Sequence, residues 1–406
     1  MSAAEPQYTP LQQRTIGGHN LIGGLSRVYH CNFYNSYLQM TVLLTQGMGE
    51  HQPERLLTDS ITVLVQLLKQ RGYTVADLLQ EFAYCGFGLL QSIDDKTWIT
   101  PRSHYSEAIC IHGKPSKSCY FTTGYLQGLM DKMVVETECK MLGASMDQFV
   151  VQDKALQLEN YLQRDFELRL DIPKRFAFTG CQQFNTSVDE DQIITQLQTL
   201  PLYGKNAPEG NGLIEAFGAV LTNHFADYYN RISYETYSAL RQIGIPEEDS
   251  KEMFIQAGHI CAFNTFGRIM SSPEWYQLIA PMCSSREDWL HAMVAVINVL
   301  GWGIYRIEKI VAEKEFIVRV YNSYEGIGYR RIYPPAADRN ISFLAMGATL
   351  GLIHLLWKVD IRDKPSLTQE FYVQQFNNPN NSYSVEQTHA IAAGDDYDRL
   401  VISKFY

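Results

Sequence analysis

The sequence predicts an α+β protein made of two tandem copies of one helices-plus-antiparallel-sheet domain, and three observations lead there. First, four short matches recur in the same order: "NLIGGLSRVYHCNFYN" (20–35) with "NGLIEAFGAVLTNHFADYYN" (211–230), "CGFGLL" (85–90) with "LGWGIY" (300–305), "YSEA" (105–108) with "SYEG" (323–326), and "GYLQGL" (124–129) with "GATLGL" (347–352). Their offsets of 195, 215, 218 and 223 residues drift slowly, as in a duplicated domain with small insertions. Second, helical spacing precedes the Gly-x-Gly element in each half, and strand-like alternation follows it. Third, 46% hydrophobic and 19% charged residues in a 406-residue chain give enough apolar material for two cores.

In chain order, "IGGHNLIGG" has glycines but neither the spacing nor the preceding strand of a dinucleotide fingerprint. "DSITVLVQLLKQRGY" reads as a helix with an Asp/Ser start and a Gly stop, and "SSREDWLHAMVAVINVLGWG" as one with Ser285 and Asp288 in capping-box spacing. "EKEFIVRVYNS" alternates, placing Phe316, Val318 and Val320 on one face of a strand. Each copy then ends in an apolar run with Gly-x-x-x-Gly, expected to let a helix approach the sheet closely. "DKALQLENYLQRDFE" reads as a helix, and "GKNAPEGNG" as a connector. The resulting division is 1–151, first copy; 152–210, connector; 211–362, second copy; 363–406, C-terminal extension.

A formal charge of −10 and the lack of a Lys/Arg cluster exclude nucleic acid or anionic membrane as the main partner. "MSAAEPQYTP" lacks the features of a signal peptide, and the longest apolar run, 343–357, contains His354 and is too short to span a bilayer. The expectation is a soluble cytoplasmic protein, with no membrane insertion and with homodimerisation open. The eight scattered cysteines read as reduced thiols or metal ligands. There is no Walker loop, G-x-S-x-G, H-E-x-x-H or C-x-x-C.

Two stretches carry candidate chemistry. Glu136-x-x-Cys139, with Asp147 eight residues on and Cys119 upstream, can converge on one divalent ion if the chain doubles back; thiolate and carboxylate donors suit zinc. The alternative is two small buried cysteines and solvated Glu136, Glu138 and Asp147. "YHCNFYN" offers His30, Cys31 and Tyr34 as a catalytic acid/base and nucleophile, with His30 and Tyr34 four apart on one helical face. Against this, the second copy repeats His224, Tyr229 and Asn230 without a cysteine, which suits a structural role.

The run Cys, Gly-x-x-x-Gly, Glu-x-x-Cys, Gly and a last donor before an aromatic resembles the end of the 4-vinyl-reductase-type small-molecule-binding domain. That family includes the sensory domains of aromatic-responsive activators and is related to subunits of the transport protein particle. The likeness covers roughly residues 60–151 and, more weakly, 285–357. It implies hydrocarbon binding in an enclosed apolar pocket beside a zinc ion held by Cys, Glu, Cys and Cys. Carried over, the ligands fall on Cys119, Glu136, Cys139 and, where the family has its last cysteine, Asp147; the step from Cys119 to Glu136 is also shorter than the family's. Ser342 falls near the first cysteine in the second copy, which has no Glu-x-x-Cys and should not hold the same metal. The pocket Trp and His fall on Trp98, just before a strand carrying Ser106 and Glu107, and on His104. These implications leave three readings: a protein that binds a small hydrophobic or aromatic molecule, a metal-dependent enzyme of specialised or tetrapyrrole metabolism in which iron is not excluded, and an assembly scaffold.

Overall fold

A computed structural model of the chain describes residues 13–108, 117–158, 180–333, 341–376 and 382–405. The two glycine pairs near the start are hairpin turns. Gly17, Gly18, Gly23 and Gly24 all have positive φ, joining β1 (Arg14–Ile16), β2 (His19–Ile22) and β3 (Leu25–Cys31). The first copy continues with α1 (Asn32–Leu43), α2 (Pro53–Gln70), α3 (Val75–Tyr84), β4 (Gln91–Ser92), β5 (Thr97–Thr100), α4 (His104–Ala108), α5 (Tyr120–Met130), β6 (Lys132–Glu138) and β7 (Asp147–Ala155). After α6 (Glu190–Gln198), the second runs β8 (Ile214–Ala216), β9 (Ala219–Phe225), α7 (Ala226–Gln242), α8 (Glu247–Cys261), α9 (Gly267–Ser271) and α10 (Arg286–Ile297). It closes with β10 (Ile304–Val311), β11 (Glu315–Tyr321), α11 (Tyr324–Ile332), α12 (Phe343–His354), α13 (Gln369–Phe376), β12 (Tyr383–His389) and β13 (Asp398–Lys404).

The two copies are visible in the sheets, which are all antiparallel. The orders β4-β5-β7-β6 and β10-β11-β13-β12 are the same order written twice. Residues 363–406 are therefore not an extension: β12 and β13 supply half of the second sheet, displaced along the chain by an insertion holding α13. On the connector side, Asp153 to Ala155 finish β7, so the helix read from "DKALQLENYLQRDFE" does not begin there; residues 159–179, like the N-terminal decapeptide and Cys110, lie outside the described residues.

Ser285 and Asp288 do form a capping box at the start of α10, and Thr74 and Asp77 form its counterpart on α3. In β11, Phe316, Val318 and Val320 are all buried as the alternation predicts. The Gly-x-x-x-Gly runs meet a helix, not a sheet. A methyl group on Gly124 would overlap the Thr58 carbonyl oxygen, and one on Gly347 the Ile255 carbonyl oxygen, so α5 lies directly on α2 and α12 on α8.

The copies exchange their first arms. In the five-stranded sheet β1-β2-β3-β9-β8, β3 pairs with β9 from Arg27↔Phe225 to Cys31↔Leu221. Reciprocally, Tyr29 N donates to Leu300 O in the second copy and Asn223 N to Cys85 O in the first. α1 packs on α4 of its own copy and α8 of the other, while α7 packs on α11 and α2. One continuous apolar core results.

Candidate metal centre

Four elements of the first copy bring their ends to one point. Cys119 stands at the N-cap of α5 and Asp147 opens β7 opposite Thr100 of β5. Glu136 points inward from β6, where a register shift between Glu136 and Glu138 turns the strand so that Cys139 is buried too. The chain then doubles back through a single 3₁₀ turn, Lys140–Leu142, which Gly143 ends with φ 98°. Asp147 Oδ1 closes this loop by accepting Lys140 N at 2.8 Å.

One donor atom from each of Cys119, Glu136, Cys139 and Asp147 lies within 4.8 Å of all the others, and all four residues are buried. The reading with solvated carboxylates at Glu136 and Asp147 is thereby overturned; only Glu138 is exposed. Serines fill the margins: Ser103 Oγ lies 3.7 Å from Cys119 Sγ and donates to Asp147 Oδ2 at 3.1 Å, and Ser118 Oγ lies 3.8 Å from Cys119 Sγ and 3.9 Å from Cys139 Sγ. Glu136 Oε1 is buried with no hydrogen-bond partner among the described residues. Packed this closely without a cation, Glu136 and Cys119 resist ionising, while the hydrogen bond with Cys119 outweighs burial and lowers the Cys139 thiol to about 5. Burial, then Cys139, pushes the Glu136 carboxyl up to about 9, and the hydrogen bond with Cys139 followed by burial pushes the Cys119 thiol up. A divalent ion would reverse this by supplying the missing positive charge.

The second copy has the same loop with different side chains. Ser342 stands at the N-cap of α12, Gln387 and Ala390 occupy the places of Glu136 and Cys139, and Asp398 opens β13. Ser342 Oγ donates to Asp398 Oδ2 at 2.8 Å. Gln387 Nε2 lies 3.2 Å from Ser342 Oγ and donates to Asp398 Oδ1 at 3.1 Å, and Ile391 N donates to Asp398 Oδ1 at 2.7 Å. A hydrogen-bonded net with one carboxylate and no sulfur stands where the first copy gathers two thiols and two carboxyl groups. The register of the third sequence match also changes. Ser103 corresponds to Ser323, because each caps a helix (α4 or α11) and hydrogen-bonds the aspartate of its own loop.

Trp98 lies in β5, and His104 begins α4; Ser106 and Glu107 belong to that helix and not to a strand, since the Ser103 side chain caps Ser106 N. Trp98 and His104 are both buried. Asn35 Nδ2 donates to His104 Nε2 at 2.8 Å, leaving the ring proton on Nδ1, and burial keeps the ring neutral by lowering its pKa to about 3. His104 Nδ1 and Trp98 Nε1 are donors with no acceptor among the described residues. Close by, Tyr105 stacks on Phe121, two residues beyond Cys119, with ring centroids 5.4 Å apart.

His30, Cys31 and Tyr34 are brought together, though not on one helical face. His30 and Cys31 are the end of β3, and Cys31 is extended at the N-cap of α1. Pairing with β9 holds them there. The His30 ring stacks on Tyr34 at 4.2 Å and Trp302 at 4.8 Å, and its Nδ1 lies 3.8 Å from Cys261 Sγ. Burial raises the Cys31 thiol, but hydrogen bonds from Cys261, Thr265 and the backbone of α1 outweigh it and lower it to about 7. All three residues lie in the core between the copies, so a substrate would have to enter there.

A concavity that no motif announced, about 560 Å³ in volume, lies beneath α6 and is walled by Tyr29, Tyr84, Leu202, Asn298 and Arg306. Its walls come from both copies and the connector, which no local pattern could signal.

No protein-family model matches the chain, and no curated protein does. Among solved structures the chain is similar to the phenol-responsive sensory domain of the transcription activator PoxR with phenol, at TM-score 0.36 and 10% identity, over 53% of this chain and 89% of that one. A likeness that slight carries no weight for fold or ligand.

Proposed function

We propose that this protein binds a small hydrophobic or aromatic molecule bearing a hydrogen-bond acceptor, and that a structural metal ion, zinc first, closes the first copy beside that site. The observation that carries the ligand reading is that two buried donors, His104 Nδ1 and Trp98 Nε1, each lack an acceptor among the described residues. An unpaired buried donor costs roughly 1–3 kcal/mol, and a ligand hydroxyl or carbonyl would recover that. The metal reading is supported by four donors within 4.8 Å and by the unpartnered oxygen of Glu136. Bound there, the ion would tie α5 to the β6–β7 hairpin.

Elemental mass spectrometry on tag-free, freshly reduced protein tests the metal. We expect about one zinc per chain, lost in Cys139→Ser, and a lower Tm after chelation. Iron in its place would favour the enzyme reading, and no metal would refute the centre. Thermal shift with a panel of phenols and isoprenoid alcohols tests the ligand. Stabilisation by a panel member, abolished in His104→Ala, is the expected result; no stabilisation by any would refute the ligand reading.

A further inference from the structure

The two copies form an internal control for the fourth metal donor. Going from the first copy to the second, the places of Cys119, Glu136 and Cys139 change to Ser342, Gln387 and Ala390, while the aspartate stays. It also keeps its bonds. Asp147 accepts Lys140 N at 2.8 Å and Ser103 Oγ at 3.1 Å; Asp398 accepts Ile391 N at 2.7 Å and the Ser323 hydroxyl. The same carboxylate therefore closes the same loop where no thiolate exists to hold an ion. Each oxygen of Asp147 already accepts one hydrogen bond, whereas Glu136 Oε1 has no partner among the described residues.

We propose that Asp147 serves the fold and that the metal has three protein ligands, Cys119, Glu136 and Cys139, with a fourth position open to a small neutral donor such as water or an imidazole nitrogen. This rests on the metal reading above. Asp147 is then a positioning residue that holds Cys139 in place through the Lys140 backbone.

Cobalt(II)-loaded protein tests this by its visible spectrum, which reports thiolate ligation and coordination number. In Asp147→Asn we expect one metal per chain, an unchanged spectrum, and affinity weakened by no more than the roughly 10–100-fold of an outer-shell change. Asp398→Asn, in the loop without sulfur, should lower the Tm of metal-free protein about as much as Asp147→Asn does. Added imidazole should shift the spectrum of the unaltered protein, and this measurement decides alone if Asp147→Asn does not fold. A spectrum that imidazole leaves unchanged, or Asp147→Asn protein with altered ligation, would make Asp147 the fourth ligand and overturn the proposal with the metal centre intact. Failure of the unaltered protein to bind cobalt or zinc would instead overturn the centre itself.

Discussion

Glu325 shows how one side chain serves a helix end at a cost in ionisation. It is buried and accepts Leu344 N and Ala345 N, each at 2.9 Å, the first free amides of α12. Burial raises its pKa, those amides oppose the shift, and neighbouring Asp398 adds to it; the balance is about 8, against 4.5 for an ordinary glutamate. A carboxyl raised by folding holds its proton in the native state after the unfolded chain has lost it, so its stabilising contribution is lost as pH rises from about 4.5 through about 8. Chemical denaturation of the wild type should therefore show stability falling over this range relative to Glu325→Gln, with the difference levelling off above pH 8. Equal pH slopes would refute this assignment. Single residues were legible in sequence where their partner is local: the capping-box partners Ser285 and Asp288 are three residues apart. Glu325 serves amides 19 and 20 residues away, and no local pattern marks it.

At the scale of elements, glycine spacing announced close packing, but not against what. A β-carbon on Gly128 would stand 2.7 Å from the Thr62 carbonyl oxygen, and Thr62 Oγ1 already donates to Gly124 O at 2.9 Å, so α5 and α2 meet backbone to backbone. Gly124→Ala and Gly347→Ala should each force the helices apart and lower stability by about 1–3 kcal/mol, visible as a reduced Tm. An unchanged Tm would mean that the helices can separate freely. The same limit explains the misplaced end of the second copy. The β12–β13 hairpin lies beyond α13, at an offset of 251 residues from β6 and β7 (147 to 398), far outside the slowly drifting offsets of the four sequence matches.

The whole molecule is held together by the exchanged arms. Arg27 on β3 forms a fully buried ion pair with Glu81 on α3, and its guanidinium lies 3.3 Å from the ring centroid of Phe225 on β9 of the other copy. If the loops of the two copies are equivalent, Ser342→Cys, Gln387→Glu and Ala390→Cys together should build a second centre and raise the metal content from one to two per chain. A content still at one would show that the second loop cannot converge. The sequence by itself determined the α+β class and the duplication and marked four candidate residues in the first copy, because alternation, glycine spacing and Glu-x-x-Cys are short-range signals. Only the tertiary structure decided that α5 packs on α2, that β3 completes a sheet with β9, and that Asp398 answers Asp147. Each of these joins residues far apart in the chain, where a contact depends on the register of packed elements and not on neighbouring side chains.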